Sequence, residues 1–120
     1  MITIKKLILV VEDHAGVLKL IELELKSAGY DVTTAKDGLQ AMEQLRLDLP
    51  DILVLDLQLP GMNGLDILKQ LRAFSRIPVI AISSSTELES QALKLGADTF
   101  IAKPFDPDHF VNTVKGLLGR

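Results

Sequence analysis

The sequence predicts an α/β fold, a doubly wound parallel sheet of five strands with five helices in three layers. Three observations predict it. Short apolar runs recur along the chain and alternate with stretches whose apolar residues fall at helical spacing. The central run, Ile52 to Leu55, is apolar at every position and rich in branched side chains, the pattern of a strand covered on both faces. Glycine or proline punctuates the junctions, as at Gly29, Pro50, Pro60-Gly61, Pro78, Gly96 and Pro104.

Leu7 to Val11 is the first strand, within the N-terminal stretch MITIKKLILVVED. Glu12 and Asp13 follow it where a signal peptide would show a longer apolar region and a small-residue cleavage site. Leu18, Ile21, Leu25 and Ala28 then repeat at helical spacing until Gly29 stops the helix. Asp31 to Ala35 alternates weakly, which suits a strand near the sheet edge, and Ala41, Met42 and Leu45 mark a second helix ending before Pro50. Asp56 terminates the central strand, and Pro60-Gly61 and Asn63-Gly64 lead into a third helix carrying Leu65, Leu68 and Leu71. Pro78 opens the run Val79 to Ile82, which gives way to Ser83-Ser84-Ser85-Thr86. Ser84 and Glu87 are spaced as a capping box for a fourth helix with the stripe Leu88, Ala92 and Leu95, closed by Gly96. Thr99 to Ala102 is the last strand, and Phe110, Val114, Leu117 and Leu118 form a fifth helix that runs to Gly119-Arg120.

At 120 residues and 48% hydrophobic, the chain fits one domain, residues 1–120, with a proper core. No apolar run approaches the roughly 20 residues of a membrane helix, so a cytoplasmic protein without membrane contact is expected. There is no cysteine, which removes disulfides, thiolate metal sites and cysteine nucleophiles together. A net charge of −3 argues against direct nucleic-acid contact, which wants a basic face.

Alternating strands and helices imply parallel pairing with right-handed crossovers, a flavodoxin-like layout of strand order 2-1-3-4-5. In that layout ligands bind beyond the carboxyl ends of the first and third strands. Glu12 and Asp13 end the first strand, Asp56 the third, Ser83 the fourth and Lys103 the fifth. Three clustered carboxylates disfavour one another's charged forms, and a hard divalent cation resolves the conflict; oxygen ligands with room for water suit Mg²⁺. Such a site is poised for a phosphoryl group. Asp56 could attack one as a carboxylate nucleophile, with the metal, Lys103 and the Ser83 hydroxyl bearing the charge on the phosphoryl oxygens.

The runs ILVVED, ILVLDLQLPGMNGLDIL, PVIAIS and GADTFIAKPF span nearly the whole chain and resemble the receiver domains of two-component response regulators. The resemblance implies that Asp56 accepts a phosphoryl group from a histidine kinase or phosphotransfer protein, with Mg²⁺ as cofactor and Mn²⁺ able to substitute. Asp13, Asp56 and the Gln58 backbone carbonyl would hold the metal, with Glu12 supporting through water. Ser83 and Lys103 would hold the phosphoryl group, and Phe100 would be the switch aromatic, turning from exposed to buried as Ser83 moves. Gln58 and Ser85 would border the path of hydrolytic water and set phosphoryl lifetime. An output domain or target protein would read residues 84–118, and a homodimer could form on phosphorylation. The same resemblance allows a cis Lys103-Pro104 bond. On this reading the domain is no enzyme beyond its own phosphorylation and slow dephosphorylation, and is either free-standing or the input half of a larger regulator.

Other readings compete. Asp13 could simply cap the first helix, Phe100 could be an ordinary core aromatic, and His14 and His109 read as surface residues. A Mg²⁺-dependent phosphohydrolase of the haloacid-dehalogenase type would carry a second acid where Gln58 stands. A flavodoxin-type carrier would not put Glu12 and Asp13 where phosphate binds, and no GxGxxG fingerprint is present. A phosphorylation-independent adaptor of the same fold is the remaining alternative.

Overall fold

The computed structural model describes residues 4–119, so the part of the N-terminal reading that covers residues 1–3, and Arg120, lie outside it. Five strands, β1 (Leu7–Val11), β2 (Asp31–Ala35), β3 (Ile52–Asp56), β4 (Val79–Ser83) and β5 (Thr99–Ala102), form one parallel sheet in the order 2-1-3-4-5. The helices are α1 (Ala15–Ser27), α2 (Gly38–Leu47), α3 (Gly64–Arg72), α4 (Glu89–Lys94) and α5 (Pro107–Leu117). This is the flavodoxin-like arrangement that the sequence predicts.

The pleat of each strand divides the core into two layers. Ile8, Val10, Ile52, Val54, Ile80, Ile82 and Ile101 pack with Leu18, Ile21 and Leu25 of α1 and Phe110 and Val114 of α5. Leu9, Val11, Leu53, Leu55, Val79 and Ala81 face the other way, onto α2, α3 and Ala92 of α4. Because both faces are covered, β3 is buried at all five positions, whereas the edge strand β2 buries only Ala35 fully.

The fourth helix departs from expectation. A single 3₁₀ turn, Thr86–Leu88, precedes the six-residue α4, and the capping box between Ser84 and Glu87 does not form. Ser84 Oγ instead points to Gln58 Oε1, donating at 3.0 Å, and Glu87 Oε1 accepts from Ser85 Oγ at 3.0 Å, so both side chains are turned toward other partners. At the first helix the cap is His14, whose Nδ1 accepts from Val17 N at 3.3 Å. His14 is therefore exposed but has a structural role, and Asp13 is not the cap.

Candidate functional site

Two local features deliver Asp56 to the rim of the sheet. β3 ends on it, and the chain then turns through Gly61, whose φ of 79° suits glycine, before Asn63 caps α3 by accepting from Leu65 N at 2.8 Å. Gly64 starts α3 hard against β3. A Cβ there would lie 2.5 Å from Leu57 Cα and 2.7 Å from the Asp56 carbonyl oxygen, so only glycine lets the helix begin this close.

Pleat alternation then decides which side chains meet. Glu12, Asp56 and Lys103 lie two residues beyond Val10, Val54 and Ile101, which all face the α1/α5 layer. They converge. Lys103 Nζ lies 3.1 Å from Asp56 Oδ2 and 2.7 Å from Glu12 Oε1. Asp56 Oδ1 accepts from Gln58 N at 3.0 Å, and Glu12 Oε2 from His14 N at 3.0 Å. Both carboxylates are buried, Glu12 at 0% exposed and Asp56 at 2%. The Lys103–Pro104 peptide bond is cis.

Burial is the main cause that pushes the Asp56 carboxyl above its ordinary range, and the neighbouring Glu12 charge adds to it; the Gln58 N–H and Lys103 pull the other way without prevailing. For Lys103 burial alone would lower the pKa, but the contacts with Glu12 and Asp56 together outweigh it and raise the ammonium above the usual lysine range.

Asp13 is exposed at the mouth and completes the acidic group: Glu12, Asp13 and Asp56 each offer an oxygen, all within 4.8 Å of one another. The donor set suits a hard dication. Three carboxylates and one ammonium leave a formal charge of −2, and the buried Glu12 Oε1, although close to Lys103, accepts no well-directed hydrogen bond. That oxygen keeps lone-pair capacity beside its contact with Lys103, and with the charge of the group the residues fit the cation that the sequence implies.

Ser83 sits on the opposite pleat, two residues beyond Ala81, facing the layer that also takes Phe100. It is 0% exposed; its Oγ accepts from Ser85 N at 2.9 Å and donates to Gln58 Oε1 at 2.8 Å. The Gln58 side chain thus touches Ser83 at the end of β4 and Ser84 just after it, contacts the sequence does not announce. Phe100 is half-buried against the α2–α4 core rather than exposed as the sequence reading expected. The Ser85 hydroxyl is turned to Glu87 and the Gln58 amide oxygen to Ser83 and Ser84, so both side chains expected to meet water are already engaged.

Fold and site together define a class: an open doubly wound domain with an acidic, lysine-bridged site at the switch point of its sheet. The chain belongs to the response regulator receiver domain family of two-component systems, whose model matches residues 8–115. It is 39% identical to the DNA-binding response regulator MtrA of Mycobacterium tuberculosis over 120 residues, covering 98% of this chain and 53% of that protein. It is 37% identical to the alkaline phosphatase synthesis transcriptional regulatory protein PhoP of Bacillus subtilis over 118 residues, covering 96% of this chain and 49% of PhoP. The chain therefore spans about half the length of these relatives. Among solved structures, the receiver domain of Francisella response regulator 1452 superposes with a TM-score of 0.90 at 32% identity, covering 97% of this chain and 98% of that one. A CheY-like receiver domain protein of Methanospirillum hungatei gives 0.91 at 25% identity, covering 97% and 95%. Among the described residues no helix is long and apolar enough to cross a membrane.

Proposed function

We propose that this domain is a phosphorylation-driven switch in which Asp56 takes a phosphoryl group from a histidine kinase or phosphotransfer protein. The observation that carries this is the placement of Asp56, a carboxylate at the switch point held on Oδ1 by Gln58 N and on Oδ2 by Lys103. One Asp56 oxygen attacks phosphorus in line, the bond from phosphorus to the donor nitrogen breaks, and the donor imidazole leaves with that electron pair. The product is an acyl phosphate. Lys103, with one N–H on Asp56 and one toward Glu12, has a third to give to a phosphoryl oxygen, and the Ser83 hydroxyl provides another donor. Asp13, Asp56 and the Gln58 carbonyl would hold Mg²⁺, with Glu12 supporting through water. When bound, the cation supplies positive charge that offsets both the carboxylates and the incoming phosphoryl oxygens.

Movement of Ser83 toward the phosphoryl group pulls on the loop into α4, and Phe100, on the same side of the sheet, closes into the space. The surface of α4, β5 and α5 then changes, and an output domain or target reads it; phosphorylation shifts the two populations by no more than its differential stabilisation of the active one. The domain is not proposed as a multiple-turnover phosphohydrolase, since Gln58 stands where a second acid would act. Acetyl phosphate with Mg²⁺ should add one phosphoryl group to the wild type and none to Asp56→Asn. Robust Mg²⁺-dependent labelling of Asp56→Asn at another residue would remove the central claim.

A further inference from the structure

Gln58 is solvent-exposed, yet its amide oxygen accepts two hydroxyl protons from residues 25 and 26 positions away, Ser83 Oγ at 2.8 Å and Ser84 Oγ at 3.0 Å. Its own backbone N–H binds the nucleophile, Asp56 Oδ1, at 3.0 Å. One residue therefore touches the phosphoacceptor with its main chain and the coupling hydroxyl with its side chain.

Proton count makes this consequential. A serine hydroxyl has a single proton to donate. Ser83 Oγ already accepts from Ser85 N, so the proton is what Ser83 gives to Gln58 Oε1. The same proton cannot go at once to a phosphoryl oxygen on Asp56. The buried hydroxyl is satisfied before phosphorylation, and only a stronger, charged acceptor can draw it away. Gln58 loses little when that happens, because its exposed amide is rehydrated.

We propose that Gln58 is a positioning residue that latches the switch: its amide oxygen holds the Ser83 proton, with Ser84 steadying the amide, and opposes the active arrangement until Asp56 is phosphorylated. The inference rests on Asp56 as phosphoacceptor and adds a residue that sets the resting equilibrium. A simple brace for the loop after β4 predicts the reverse behaviour. Losing a brace loosens the loop and weakens the active state, whereas losing a latch favours it.

The test is binding of beryllofluoride, a phosphoryl analogue, with Mg²⁺, followed by ¹⁹F NMR. Gln58→Met keeps the length of the side chain but lacks the amide acceptor, and should bind about fivefold more tightly than wild type, the equivalent of about one neutral hydrogen bond. Ser84→Ala should tighten binding about twofold in the wild-type background and not at all in Gln58→Met. In the unliganded protein, the Ser83 and Ser85 amide resonances of Gln58→Met should move part of the way toward their positions in the wild-type complex. Equal or weaker binding by Gln58→Met overturns the latch while leaving Asp56 as acceptor. No uptake of beryllofluoride by the wild type overturns the acceptor reading, and the latch with it.

Discussion

Lys103 Nζ lies nearer to Glu12 Oε1, at 2.7 Å, than to Asp56 Oδ2, at 3.1 Å, so the ammonium that ends β5 ties together the ends of β1 and β3. With 19% of its side chain exposed, it is the one cation placed on two buried carboxylates among the described residues. Replacing it should strand both. Lys103→Met is expected to cost about 3 kcal/mol in metal-free buffer, measured by urea unfolding, and Mg²⁺ should recover part of the loss. Its raised pKa means that the lysine's contribution is fully present below the ordinary lysine range and fades only as pH climbs through the raised value. A melt that is flat across neutral pH but falls in strong alkali, and does not fall there in Lys103→Met, is the expected pattern.

Asp56 carries the opposite sign. Its carboxyl is raised, chiefly by burial, so ionising it costs folded-state stability as pH rises from the ordinary carboxylate range through the raised value. Asp56→Asn should therefore melt above wild type at neutral pH without metal, by roughly 4 °C if about 1 kcal/mol is relieved. The gap should close in acid and shrink when Mg²⁺ is added. A neutral-pH melt below wild type would show that the tie to Lys103 outweighs burial.

Asp13 and His14 are adjacent but should separate cleanly. Asp13→Ala is expected to weaken Mg²⁺ at least tenfold, by titration calorimetry, while melting no lower than wild type in metal-free buffer, because it caps nothing and its loss relieves the acidic group. His14→Ala removes the cap on Val17 N and should cost about 1 kcal/mol. Equal metal affinity in Asp13→Ala would take Asp13 out of the ligand set.

Gly64→Ala tests how the site is held in place. The added methyl would meet main-chain atoms of Asp56 and Leu57, which cannot swing aside as a side chain can. A loss of about 2 kcal/mol is expected, with amide shifts concentrated at residues 55–58. Shifts confined to α3 would mean that the helix moves and the strand end does not.

The five strands, the placement of β2 at an edge and the five strand-end polar residues were legible in the sequence because each is a local property. Apolar periodicity reports the element, and a polar residue ending a buried run reports the rim. His14 as a helix cap was not, since histidine lies outside the residue types that mark caps. The local capping rule at Ser84 and Glu87 failed because partners it does not consider, Gln58 for Ser84 and Ser85 for Glu87, orient the two side chains elsewhere.

Sequence by itself determined the fold and which residues reach the carboxyl edge of the sheet. Tertiary structure alone decided who touches whom there. Lys103 bridges Glu12 and Asp56, and Gln58 holds Ser83 and Ser84, across separations that no local pattern spans. The reason is physical: sheet register brings the strand ends abreast, and the two-residue pleat sorts their side chains to opposite faces, with Glu12, Asp56 and Lys103 on one and Ser83 on the other.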